Sequence, residues 1–101
     1  MNKRIYFVNA RKIRFANRKL DVVRLNSHNS LVHELKKAEI CYQLQKDGHH
    51  YITEAIFEDK SGIADIYDVT DDVVYEILNS ETEAQCDLKN YPVKEIYKVR
   101  V

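Results

Sequence analysis

Between residues 50 and 78 the chain carries three short apolar runs: "HYITEAIF" (50–57), "IADIYDV" (63–69) and "VVYEIL" (73–78). Only Thr70, Asp71 and Asp72 separate the last two. A gap that short joins antiparallel neighbours, because a parallel pair needs a crossover of about a dozen residues or more. The first run alternates as a half-buried strand does. The segment therefore predicts three successive strands, the last two forming a hairpin across Asp71-Asp72.

Both hairpin strands carry an acid in their interior, Asp65 and Glu76. Side chains alternate along a strand, so Ile63, Asp65 and Tyr67 share one face and Val74, Glu76 and Leu78 share another. If Asp68 and Val73 close the turn, Asp65 and Glu76 stand opposite each other with Cβ atoms ~5 Å apart. Two like charges at that separation repel. A divalent cation between them removes the objection, and hard oxygen ligands suit Mg²⁺, with Mn²⁺ able to substitute. A register shifted by one residue instead turns one acid to solvent. On the residues alone, both readings stand.

Upstream, "NSHNSLVHELKKAEICYQLQKDG" predicts a helix. Ser or Asn at 27–30 can cap it, Leu31, Leu35, Ala38 and Tyr42 recur at helical spacing, and Gly48 suits the stop. Downstream, "ETEAQCDLKN" (81–90) reads as a second helix, with Ser80 as cap, Glu83 at the capping-box position and Pro92 marking the end. "KEIYKVRV" reads as a last strand. Before the first helix, "KRIYFV", "RKIRFA" and "LDVVRL" read as short strands, the latter two as a hairpin across Asn17-Arg18-Lys19. The expectation is one α/β domain of 101 residues: basic strands over 1–28, then a core over 29–101.

Formal charge sums to zero but is divided unevenly. Residues 1–50 hold eleven Lys/Arg against four Asp/Glu, and residues 51–101 hold five against twelve. The basic half suits a polyanion, with Arg11, Lys12, Arg14, Arg18 and Lys19 as phosphate contacts; the acidic half suits a cation. Equally, the two halves can attract each other or a second subunit. Two glycines rule against a phosphate-cradling glycine loop, and His33, His49 and His50 lack the spacing of a zinc site. Cys41 and Cys86 read as buried thiols, with a disulfide as the alternative. No apolar run approaches the ~20 residues that span a bilayer, and "MNKRIYFVNARK" has no signal-peptide pattern, so a cytoplasmic protein is expected.

The string "HELKKAEICYQLQKDG", followed in order by "TEAIF", "ADIYDV" and "YEILNS", resembles small nucleases of the PD-(D/E)XK superfamily. This restriction-endonuclease-like fold includes archaeal Holliday-junction resolvases and RecB-type nucleases. The resemblance covers residues 29–101 and rests on the order of short motifs. It implies a core of helix, three-strand meander, helix and strand, and a metal-dependent hydrolysis of phosphodiester bonds in DNA. It also implies roles for particular residues. Asp65 and Glu76 match the acids that ligate Mg²⁺, Glu34 the helix-borne acid (Glu39 being the runner-up), and Glu54 a contributor through a bound water. The motif lysine belongs where Leu78 stands; Lys89 on the second helix is its expected substitute, with Lys37 on the first helix as another. His33 and Lys37 are further candidates for phosphate contacts. The resemblance and the small size fit a virus- or plasmid-encoded homodimer. The missing lysine keeps open a catalytically inactive nucleic-acid-binding module on the same fold, and the divided charge keeps open a self-associating interaction protein.

Overall fold

The computed structural model describes residues 8–78 and 90–101. Among the described residues, residues 8–10 are helical and the helix α1 (Leu31–Lys46) is followed by β1 (Tyr51–Ile56), β2 (Ile63–Asp68), β3 (Val73–Leu78) and β4 (Glu95–Arg100). The four strands form one mixed sheet in the order β1-β2-β3-β4. β1 to β3 are antiparallel neighbours, and β4 runs parallel to β3. A parallel step needs a long crossover, and residues 79–94 are long enough to supply it. The second helix expected over 81–90 falls outside the described residues except for Asn90, and so do Lys89 and Cys86. This is a small α/β domain, and no described helix is long and apolar enough to cross a membrane.

Local chemistry sets the boundaries of α1. Ser30 has extended backbone angles, and its side chain accepts the His33 N–H, which closes the first turn. The helix ends at Asp47, and Gly48 follows with φ +75°, a conformation that glycine adopts without steric cost. The face that α1 turns inward is unusual. Leu31, Leu35 and Tyr42, whose spacing marks the helix, are 73%, 59% and 64% exposed. The buried residues are His33, Glu34, Lys37, Cys41 and Leu44. Steps of four and three put them on one stripe. Cys41 and Leu44 pack on Tyr51, Ile66 and Ile77, while His33, Glu34 and Lys37 face a polar region of the sheet. Burial pushes the Cys41 thiol up to about 12, so it is an inert core group with no disulfide.

A second apolar cluster joins Ile13, Ile52, Phe57, Tyr67, Val74 and Tyr91. Phe57 stacks on Tyr91 with ring centroids 4.9 Å apart and meets Tyr67 at 5.3 Å. Gly62, at φ +144°, lets the Tyr91 ring approach; a Cβ there would lie 3.2 Å from the ring.

The basic hairpin expected across Asn17-Arg18-Lys19 does not form. Residues 15–17 make a single 3₁₀ turn, and among the described residues of this region the only pairing is one bridge, Ile13 with Phe57. The segment instead covers the outer edge of β1 through scattered bonds. The Arg14 N–H donates to Ile56 O (2.8 Å), Asp21 N–H to Tyr51 O (2.8 Å), and Ile56 N–H to Asn17 Oδ1 (2.9 Å). An edge strand's open donors and acceptors are satisfied without a fifth strand. The strand expected over residues 3–8 lies outside the described residues apart from Val8, which is helical with residues 9 and 10 rather than extended.

Candidate functional site

The expected closure of Asp68 on Val73 is present, and the register continues through Tyr67↔Val74 and Ile66↔Tyr75. There the β2–β3 ladder stops. One step further the same register would set Asp65 against Glu76, but no pairing joins them; the Asp65 side chain instead accepts the Ile77 N–H. On the other side, the pairs Thr53↔Ile66 and Ala55↔Ala64 bracket Glu54 against Asp65. Glu76 in turn pairs with Lys98 of β4. Glu54 and Asp65 thus lie side by side where β2 and β3 part and both reach toward α1, whereas Glu76 extends from the other face of β3, with Val74 and Tyr91.

Each of the three acids is held differently. Asp65 reaches into the gap between the strands. Its Oδ2 accepts the Ile77 N–H at 2.8 Å, a donor released where the ladder ends, and lies 3.5 Å from His33 Nε2. Its side chain keeps 16% exposure, and among the described residues Oδ1 has no partner. Glu76 is buried and accepts a hydrogen bond from the Tyr91 hydroxyl, whose single proton is shared with Ile63 O at 3.0 Å. The expected facing pair of Asp65 and Glu76 therefore does not form: their carboxylates are held by different partners, the first beside His33 of α1 and the second by Tyr91. Glu54 has φ +49°, the left-handed region that residues other than glycine seldom enter. Such a conformation costs about 1–3 kcal/mol and persists only where its surroundings impose it. Here it accompanies a Glu54 carboxylate that meets Lys37 of α1 at 2.8 Å.

Lys37 is the hub on the α1 side. Its side chain is 0% exposed, and Nζ donates to Glu54 Oε1 (2.8 Å), Glu34 Oε1 (3.0 Å) and Arg24 O (3.0 Å), using all three protons. Burial alone would lower the ammonium's pKa, but Glu54 and Glu34 outweigh it and raise it above the ordinary lysine value. Burial likewise works to raise Glu34, but Lys37, the Asn26 N–H and His33 hold its carboxyl below the usual range. His33 Nδ1 lies 3.2 Å from Glu34 Oε2, so the imidazole bridges Glu34 to Asp65.

The structure thus joins Glu34, His33, Lys37, Glu54 and Asp65 in one polar cluster; Glu76 does not join it, being turned to the opposite face of the sheet where Tyr91 bonds it. It also changes two expected roles. Lys37 is enclosed by its own acids, so a surface contact with phosphate is closed to it; Glu34 is saturated by Lys37, Asn26 and His33, which leaves it an orienting role. Glu39 points outward to Lys36. Lys12 bonds Asp72 at 2.9 Å, and Arg18 bonds Ile13 O and Arg11 O; Arg11, Arg14 and Lys19 are exposed. The sequence signal that would have found the hub is the four-residue spacing of His33 and Lys37, which places both on one helix face.

Elsewhere, His49, Asp68 and Asp71 form the one group of three His/Cys/Asp/Glu residues among those described whose potential ligand atoms all lie within 4.8 Å of one another. Asp68 is buried, and its Oδ1 accepts the N–H groups of Thr70 and Asp71, so it also ties the β2–β3 turn. Its Oδ2 meets His49 Nδ1 at 2.8 Å. Asp68, with smaller effects from Asp71 and Asp47, raises the His49 pKa against a modest opposing effect of burial. A histidine raised in the folded state contributes stability that is fully present below about pH 6.5 and is lost as pH rises through its folded value. NMR titration is expected to place His49 above the free-histidine value, and Asp68→Asn to bring it back down.

No family model, curated protein or solved structure matches this chain.

Proposed function

We propose that this protein is a metal-dependent nuclease of the PD-(D/E)XK kind that hydrolyses phosphodiester bonds in DNA. The supporting observation is the pair Glu54 and Asp65, lying where the β2–β3 ladder opens and met from α1 by Lys37 and His33. A sheet designed for stability alone avoids adjacent acids. The topology is compatible: a helix, an antiparallel meander, and a fourth strand parallel to the third.

The donors fit a hard divalent cation. Asp65 offers an unpartnered oxygen at the strand gap, and Glu54 keeps Oε2 clear of Lys37, so Asp65 and Glu54 would hold Mg²⁺ or Mn²⁺, while Glu76, bonded to Tyr91 on the other face of the sheet, would not. Bound there, such an ion lowers the pKa of a water and stabilises charge growing on the phosphoryl oxygens. The protein's own groups do the positioning. Lys37 holds Glu54 in place, and the Ile77 N–H fixes Asp65. His33 Nε2, beside Asp65, is placed to take a proton from a water at that carboxylate. Arg11, Arg14 and Lys19 supply phosphate contacts whose affinity falls with salt. Lys37 replaces the motif lysine in the one respect the geometry allows, as the fixed positive charge under the acids.

One observation favours the inactive module as the alternative: the motif-lysine position is Leu78, 2% exposed, and the Lys37 ammonium has no proton left to give. Labelled single-stranded, duplex and branched DNA, incubated with Mg²⁺, Mn²⁺ or EDTA, separates the readings. Cleavage that requires metal supports the nuclease. Binding without cleavage under every metal selects the module, and no binding even at low salt rejects both.

A further inference from the structure

Phe15 is the most exposed of the large hydrophobic residues described, at 84%, and it stands in the most basic part of the chain. A lone exposed apolar side chain is unremarkable. This one is fixed. The 3₁₀ turn that carries it is pinned to the sheet by the Arg14 N–H on Ile56 O and by Asn17 Oδ1 accepting the Ile56 N–H. The Arg18 guanidinium lies over the ring, 5.4 Å from its centroid, and is itself held by Ile13 O (2.7 Å) and Arg11 O (3.3 Å). A cation on one face orients the ring. Arg11, Arg14 and Lys19 are exposed around it. Arg14 also lines a pocket of about 530 Å³ with Ile56, Phe57, Ile63 and Lys60, in which Glu58 is the one acid.

Position gives this platform its meaning. Ile56, to which the turn is pinned, lies two residues along β1 from Glu54.

Resting on the nuclease reading, we infer that Phe15 stacks an unpaired nucleobase beside the acid pair, so that the substrate is a single strand, or a branch or end with unpaired bases. A base inside a duplex has both faces covered by its neighbours and offers nothing to the ring. Phosphates on either side of the stacked base meet Arg11, Arg14 and Lys19. Stacking is indifferent to sequence because every base has a flat face, and removing an aromatic platform costs about 5- to 150-fold in affinity.

The test is binding without catalysis. In EDTA at low salt, fluorescence anisotropy compares a labelled oligothymidine with an abasic strand of the same length and with a duplex. The wild type is expected to prefer the base-bearing strand, and Phe15→Ala to lose that preference by 5-fold or more while binding the abasic strand as before. Because the chain contains no tryptophan, Phe15→Trp introduces a single reporter, whose emission is expected to be quenched by oligothymidine and not by the abasic strand. Equal binding of both strands by wild type and Phe15→Ala, with an unquenched reporter, overturns the stacking role and leaves the nuclease reading intact. Wild-type protein that binds no strand at low salt overturns both.

Discussion

Replacing Asp65 by Asn is expected to lower metal-dependent cleavage by about 10²–10³-fold or more while leaving the fold in place. The substitution is nearly isosteric, and the amide oxygen can still accept the Ile77 N–H that the carboxylate accepts at 2.8 Å. What disappears is the negative charge and the unpartnered oxygen at the strand gap. Melting should therefore move little, with an expected change within ~1 kcal/mol, and binding of DNA in EDTA should be unchanged or slightly tighter, since one anion has been removed. Cleavage by Asp65→Asn at the wild-type rate would reject the acid pair as the site. Loss of activity together with loss of cooperative melting would mean that the residue serves the fold.

Replacing Lys37 by Met should have the largest effect on stability. The methionine keeps most of the volume but strands Glu34 and Glu54 without their shared counter-ion. Removing one partner of a buried pair costs about 3–5 kcal/mol, a large fraction of the total for a domain of this size. The pH dependence gives a sharper signature. In the wild type, the lowered Glu34 contributes stability above the unfolded carboxylate value of ~4.3, and loses it as pH falls through its folded value. Without Lys37, burial dominates and raises the Glu34 pKa, so the variant should gain stability as pH falls toward that raised value. Denaturant unfolding between pH 4 and 7 should then give slopes of opposite sign. A variant that unfolds with the wild-type slope and midpoint would show that Lys37 is not the hub described here.

Much of this arrangement was legible in the residues because it is local. Apolar alternation and the Asp71-Asp72 turn located β1 to β3 to within about two residues, and the short turn fixed the register as far as Ile66↔Tyr75. Ser30 and Gly48 bounded α1. Two errors share one physical cause: periodicity reports half-burial, not partner. "RKIRFA" and "LDVVRL" alternate because one side of each lies against β1, yet their donors go singly to Ile56 and Tyr51 rather than to each other. In α1 the apolar stripe is real but faces outward, since the inward stripe is committed to the polar cluster. That cluster depends on which helix face meets which row of the sheet. The burial of Lys37, the backbone strain at Glu54 and the hold of Tyr91 on Glu76 are tertiary facts with no local signal beyond the spacing of His33 and Lys37.

The most direct measurement is a crystal of the protein soaked in Mn²⁺ and examined for anomalous scattering. A peak at the carboxylate of Asp65, within ligand distance of Glu54, is the predicted result. An ion found only at His49, Asp68 and Asp71, with none in the gap between β2 and β3, would contradict the account.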